Sequence, residues 1–316
     1  MLEPVVTAQP RSGLSRARAR VVAAIGELSP LDRVTALYTF CSASVLAVRI
    51  VSHNGWVGPT DPAWLLVAHG LLLVLVFLAA AARRAVRPRL SALAEWYPLV
   101  VLLAVYASIG LLNAPRELLG HSYDPVVMHW EGRLLGATTL ERWSGVPGPA
   151  VVNWGLGLSY LAFFPMVISA PLVLWLQGRH EHARRAIFGI SLTFFTCYLL
   201  FLLFPVAGPA YVLGWPTAQP GDSLPVRLVR SLNDQGDSWG SAFPSSHVAA
   251  SAAAMLLAMT SCRKLGSVLL PIALGILLAV VYFRVHYVLD AVAGLLIAVV
   301  AAWAVRRAWP LRTVQV

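Results

Sequence analysis

Residues 242–250 read AFPSSHVAA, and they open a run of small apolar residues that carries no charge until Arg263. A proline, two serines and a histidine at the head of such a run mark a helix start, because Ser is a favoured N-cap. The helix that follows is apolar all round, so it needs an apolar environment on every side. The composition supplies the reason: 58% of the residues are hydrophobic, only 12% are charged, and the mean hydropathy is +0.72. A soluble domain carries about a quarter charged residues. A bilayer core is crossed by about 20 apolar residues in a helix, and eight runs of this kind occur, over 34–52, 62–82, 92–113, 155–177, 184–205, 246–262, 265–283 and 287–306. The expected fold is all-α, a polytopic transmembrane helical bundle of about eight spans, since in lipid only helices and closed barrels satisfy their own backbone. The runs are too long and continuous for barrel strands.

The charge of +10 is a topology signal and not a nucleic-acid signal. If alternate loops face opposite sides, 17 of the 24 Lys and Arg fall on one side: in the tail before the first span, in RRAVRPR, RHEHARR and CRK, and after the last span. By the positive-inside rule that side is cytoplasmic, with both termini. The first apolar run starts too far in for a cleaved leader, so residues 1–33 are expected to be a cytoplasmic basic tail. The Ala- and Arg-rich composition fits a bacterial inner (plasma) membrane. The three cysteines match no metal spacing and read as small apolar filler.

Two long loops, 114–154 and 206–245, lie on the side poor in positive charge. The first contains HSYDPVVMHWEGRLLGATTLERW, with the spacing of short interfacial helices. His121, Asp124, His129 and Glu131 within it suit no standard metal set. Spans one and two (34–90) carry few polar residues beyond Arg49 and His69 and read as an addition to a six-helix core over 91–307. Residues 308–316 form a tail.

Ionisable residues in or beside membrane spans mark functional sites by default. Topology brings two clusters to one side: PSSH at the start of the sixth span, and YFRVHYVLDAVAG between the seventh and eighth. His286 and Asp290, four apart, share a face if helical, so Asp290 is expected to accept a hydrogen bond from one ring nitrogen of His286 and leave the other free as a nucleophile. Ser245 or Ser246 is expected to cap a helix whose N-terminus suits a phosphate. His247 in its first turn is placed to act as a general acid, and Arg284 to neutralise phosphate charge.

PSSH followed about 40 residues later by HYVLD resembles the type 2 phosphatidic acid phosphatase superfamily, whose second motif is Pro-Ser-Gly-His and whose third ends in His-x-x-x-Asp. The resemblance implies a phosphatidic acid phosphatase-like core in which His286 forms a phosphohistidine, Asp290 orients it and His247 is the acid for the leaving group. It implies no metal or other cofactor. The superfamily's first motif, Lys-x6-Arg-Pro, is absent: with Pro209 aligned to its proline, Phe201 stands for Lys and Gly208 for Arg. The Ser-Arg that opens the third motif is replaced by Ala279-Val280. These departures are similar to the inositol phosphorylceramide synthase-like branch, which keeps the His/His/Asp set and moves a phosphorylated head group between lipids. Arg284, Arg227, Arg230 and Tyr211 are the candidates on the correct side for a rebuilt phosphate clamp, although Arg227 and Arg230, three apart, also fit a solvated helix face.

The sequence therefore predicts an enzyme cleaving a lipid phosphoester or pyrophosphate at the outer face. Water as acceptor makes it a phosphatase, and a lipid or polyol hydroxyl makes it a phosphotransferase. Its partners are a lipid phosphate, membrane lipids and an alcohol or polyol acceptor. The rival is a lipid-binding or transport protein without chemistry, which predicts broken helices and ionisable groups at the midplane. Here the ionisable residues sit at span ends.

Overall fold

In lipid each helix must close its own hydrogen bonds, and the chain does so almost throughout. The computed structural model describes residues 26, 28–52, 60–84, 88–136, 144, 149–215 and 223–309. Most of the basic tail expected over 1–33 and nearly all of the tail over 308–316 lie outside the described residues. Twelve helices occur among the described residues: α1 Pro30–Ser52, α2 Pro62–Arg84, α3 Pro88–Leu118, α4 Asp124–Leu135, α5 Ala150–Leu161, α6 Phe163–Leu176, α7 His180–Leu203, α8 Pro209–Leu213, α9 Leu224–Gly236, α10 Ser246–Ser261, α11 Arg263–Tyr282 and α12 Val288–Ala308. The only strand-like pairing among the described residues is one isolated bridge, Val206 with Ser241.

Among the described residues six helices are long and apolar enough to cross a membrane: α1, α2, α3, α7, α11 and α12. The chain is an integral membrane protein. The expected fourth span is a pair, α5 and α6, bent by 50°. Pro165 explains the break, because it has no N–H to offer the Leu161 carbonyl one turn back. The expected sixth span, α10, has 16 residues, or about 24 Å of helix against a hydrocarbon core of about 30 Å.

Although short, α10 is central. It packs on α6, α7, α11 and α12, and its buried face is mostly alanine, Ala249, Ala250, Ala252, Ala253, Ala254 and Ala258. Small side chains let helix backbones approach closely. The approach is tightest at Gly294 of α12, where an added Cβ would lie 2.4 Å from the Ser245 carbonyl oxygen. The α10–α11 hairpin turns on the single residue Cys262, and a Cβ on Gly266 would meet the Met259 backbone at 2.5 Å.

Polar contacts fix the two ends of the bundle. At one end Tyr97 of α3 donates to Asp32 of α1 at 2.8 Å, Arg184 of α7 pairs with Glu95 of α3 at 3.1 Å, and Arg179 donates to the Ser261 carbonyl. At the other end the loop after α7 pairs with the loop before α10: the Ala242 N–H donates to the Val206 carbonyl at 2.9 Å. That second end holds both histidines of the sequence motifs.

Candidate active site

Ser245 is the N-cap of α10. Its hydroxyl accepts the Val248 N–H at 3.3 Å, and its own N–H donates to the Asp290 carbonyl at 2.9 Å. The cap places His247 in the first turn, where its ring stacks on Tyr160 of α5 and lies 4.4 Å from the Phe163 ring of α6, centroid to centroid. Its Nε2 is 3.3 Å from the Tyr160 hydroxyl, which in turn donates to Asn233 Oδ1 at 3.1 Å. Because the Tyr160 proton is committed to Asn233, His247 Nε2 is the donor of that pair. Its Nδ1 is buried and has no partner among the described residues.

His286 reaches the same place from a tight turn. The N–H groups of Val285 and His286 both return to the Val280 carbonyl at 2.9 Å. Arg284 takes a positive φ of 57°, uncommon for a residue with a Cβ. The turn sends the Arg284 side chain away to Ser144, with Nε 3.0 Å from its hydroxyl, while His286 points inward and is buried. His286 Nδ1 lies 2.8 Å from the Ala242 carbonyl, so it carries the proton, and Nε2 is left buried without a partner among the described residues. The two histidine rings are 5.7 Å apart.

The pairing of His286 with Asp290 differs from expectation. The nearest carboxylate oxygen, Oδ2, is 3.6 Å from Nδ1 and accepts the Tyr287 N–H at 2.8 Å. The shared helical face does not form, because His286 precedes α12 and only Asp290 is within it. The backbone of Ala242 sets the tautomer, and Asp290 stands behind the ring as a buried carboxyl group whose Oδ1 has no partner among the described residues.

His247 stands at the end of a largely apolar cavity of about 340 Å³, lined near the site by Tyr106, Tyr160, Asn233, Asp237 and Ser246, and the His286 ring lies behind that of His247, outside the lining. Its far part is bounded by Leu103 of α3 and by Phe164 and Ile168 of α6, which are exposed on the bundle surface. The cavity thus opens sideways where lipid chains would lie.

Asp237 is a site residue with no sequence motif to announce it. It follows α9, four residues after Asn233, and only that spacing hinted at a shared face. Its Oδ1 accepts from the Tyr106 hydroxyl at 2.6 Å and the Ser241 hydroxyl at 3.0 Å. Burial pushes its carboxyl above the usual range, while those hydrogen bonds and the nearby His286 pull it back. Burial lowers the His286 imidazole to about 4, with the charge of Asp237 and the Ala242 carbonyl acting in the opposite direction. His286 is therefore neutral at neutral pH, with a free lone pair on Nε2.

The other expected phosphate-binding residues are dispersed. Ser246 lines the cavity beside His247, whereas Ser245 is occupied as the cap. Tyr211 of α8 and Arg227 of α9 are exposed, Arg230 is half-buried, and none of these three nor Arg284 lines the cavity. Where the absent first motif would place a clamp, Phe201 is in the apolar core and Gly208 has a φ of 102°. The N–H groups of Ala207 and Gly208, a nest of the kind that holds anions, are filled from within: each donates to the Asp124 carboxylate at 2.8 Å. Asp124 also accepts from the Tyr287 hydroxyl, and Glu131 accepts the Leu289 N–H at 3.2 Å. These two carboxylates of α4 lock the loops around His286, and among the described residues no group of His, Cys, Asp and Glu could hold a metal.

A family model described as the PAP2 superfamily matches residues 127–304, from α4 to α12. Searches of the curated proteins and of the solved structures find no match. The matched residues contain PSSH, HYVLD and Asp237; α3, which completes the cavity with Tyr106 and Leu103, precedes them. With more than half its length matched, this lipid phosphatase-type chain belongs to the PAP2 superfamily.

Proposed function

We propose that the protein is a lipid phosphotransferase working through a phosphohistidine on His286. The observation that supports this most is the pair of buried ring nitrogens without a partner among the described residues, His286 Nε2 and His247 Nδ1, on rings 5.7 Å apart, with His247 at the end of an apolar cavity. Buried polar atoms are nearly always hydrogen-bonded, so two exceptions on adjacent rings, one of them at a cavity end, indicate groups kept for a substrate.

In the first step the Nε2 lone pair attacks phosphorus. A P–N bond forms and the P–O bond to the leaving lipid alkoxide breaks. His247, protonated on Nδ1 beside the bound anion, gives that proton to the leaving oxygen. In the second step an acceptor hydroxyl attacks phosphorus and the P–N bond breaks. The acceptor's proton returns to His247 Nδ1. Asp290 stabilises the positive charge that develops on His286.

Two features favour head-group transfer over simple phosphate release. No Lys or Arg among the described residues lines the cavity, but the Asp237 carboxylate does. A phosphomonoester dianion would meet an uncompensated negative charge, and a phosphodiester monoanion meets half of that repulsion. The free oxygen capacity of Asp237, with Asn233 beside it, suits a hydroxyl-bearing acceptor. The arginine-poor loops lie at the histidine end, which supports an outward-facing site in a bacterial inner membrane. We read α1 and α2 as an N-terminal addition to the catalytic helices: α2 packs on α1 and α3, away from the cavity.

The test is purified protein in detergent offered a lipid phosphomonoester, a lipid pyrophosphate and a lipid phosphodiester, with and without a polyol. Head-group transfer from the diester is expected to be fastest and to vanish in His286→Ala. Phosphate release from the monoester as the dominant reaction would make the protein a phosphatase.

A further inference from the structure

A second cavity lies at the histidine end of the bundle and shares no lining residue with the first. Its volume is about 400 Å³, and it is lined by Arg49 at the end of α1, Arg116 at the end of α3 and the turn from Leu119 to Tyr123. Arg49 is only 8% exposed. Its guanidinium donates to the Leu112 and Leu202 carbonyls and to Asn113 Oδ1 at 3.1 Å. Those acceptors take three of its five N–H donors, are all uncharged, and leave its charge uncompensated by any carboxylate of the cavity lining. Arg116 stacks over Tyr123 at 5.9 Å and makes no ion pair among the described residues. His121, exposed, adds a third nitrogen-bearing group to the rim.

Two positive charges thus face one cavity with no carboxylate in its lining. Residues 53–59, which follow α1 directly, contain no Asp or Glu that could neutralise them. Burying an uncompensated charge is costly, and like charges brought together raise the cost. Beside the cavity, Leu118, Leu119, Val48 and Val51 are exposed on the bundle surface. A phosphate there would have an apolar flank beside it for acyl chains, and arginine is well suited to phosphate oxygens.

We propose that this cavity binds the phosphate of an anionic lipid headgroup at a site separate from the catalytic one. Arg49 and Arg116 hold the phosphate oxygens and His121 lies at the rim. The site connects to the catalytic loops through Arg49, which holds Asn113, whose amide donates to the carbonyls of Phe201 and Trp239. A bound lipid therefore braces the turn that ends at Ala242, the partner of His286.

The experiment uses the full chain carrying His286→Ala in detergent, followed by thermal unfolding during titration with phosphatidylglycerol, phosphatidylcholine or inorganic phosphate. Phosphatidylglycerol is expected to raise Tm saturably and zwitterionic phosphatidylcholine is not. Adding Arg116→Gln should raise the half-saturating concentration about tenfold, the loss of a charged hydrogen bond, and Arg116→Lys should retain most of the affinity. If Arg116→Gln does not fold, His121→Ala is the second variant, expected to weaken binding a few-fold. An equal shift with inorganic phosphate upholds the site and assigns it to free phosphate. An unmoved Tm with both anions, or unchanged titration in the substituted proteins, overturns the proposal. Catalytic-cavity binding does not respond to Arg116, so the outcome is independent of the transferase reading.

Discussion

His286 Nδ1 lies 2.8 Å from the carbonyl oxygen of Ala242 and 3.6 Å from Asp290 Oδ2. The proton on Nδ1 therefore belongs to a backbone hydrogen bond, and Asp290 stands next to the ring while accepting the Tyr287 N–H at 2.8 Å. Asp290→Asn keeps an oxygen for the Tyr287 N–H and leaves the tautomer to Ala242. It should fold and lose about 10²-fold in kcat, while His286→Ala loses all transfer. Equal losses in the two variants, measured as steady-state turnover, would mean that Asp290 sets the tautomer after all.

The pH dependence follows from the neutral state of His286. Its imidazole is lowered to about 4, and only the deprotonated ring has a lone pair on Nε2. Activity is present above that value and lost as pH falls through it. The acid limb of kcat/KM, which reports the free enzyme, should sit near pH 4 and not near the ordinary histidine value. Because the charge of Asp237 holds this group up, Asp237→Asn should move the limb to still lower pH. A limb near 6.5, unmoved by that substitution, would contradict the assignment.

Asp237→Asn also tests the charge argument for the donor. Removing the carboxylate from a cavity without Lys or Arg relieves a dianion more than a monoanion. The ratio of phosphomonoester to phosphodiester turnover should rise by about tenfold, one charge at a few ångströms in a partly solvated site. An unchanged ratio would show that Asp237 does not sense the phosphate.

Gly294 is where α12 comes closest to the start of α10. Gly294→Ala puts a methyl group 2.4 Å from the Ser245 carbonyl oxygen, and overpacking of this kind costs about 1–3 kcal/mol. Thermal unfolding should show a lower Tm than the parent, with turnover falling as the α10 cap is displaced. A Tm equal to the parent's would mean that the two helices can separate freely there.

The helical bundle was legible in the sequence because eight apolar runs leave few alternatives in lipid. The details were less so where one proline or one turn intervenes. Pro165 bends the fourth run, and hydropathy does not register it. The spacing of His286 and Asp290 suggested a shared helical face, but the Arg284 turn keeps His286 out of α12. That same turn carries Arg284 to Ser144, so its closeness to His286 in sequence misstates its place. Asp124 fills the Ala207 and Gly208 nest from more than 80 residues away, and Asp237 reads as one of several acids in a polar loop. Contacts of that range have no local signature. Only the packing of α4 and α9 against the histidine turn reveals them.

The central claim is that His286 Nε2 carries the phosphoryl intermediate. Its most direct test is mass spectrometry of acid-labile adducts after rapid quenching of the protein with a lipid phosphodiester. A phosphoramidate on the peptide containing His286, gone in His286→Ala and formed more slowly in His247→Ala, is the predicted result. An adduct on another residue, or undiminished turnover in His286→Ala, would contradict it.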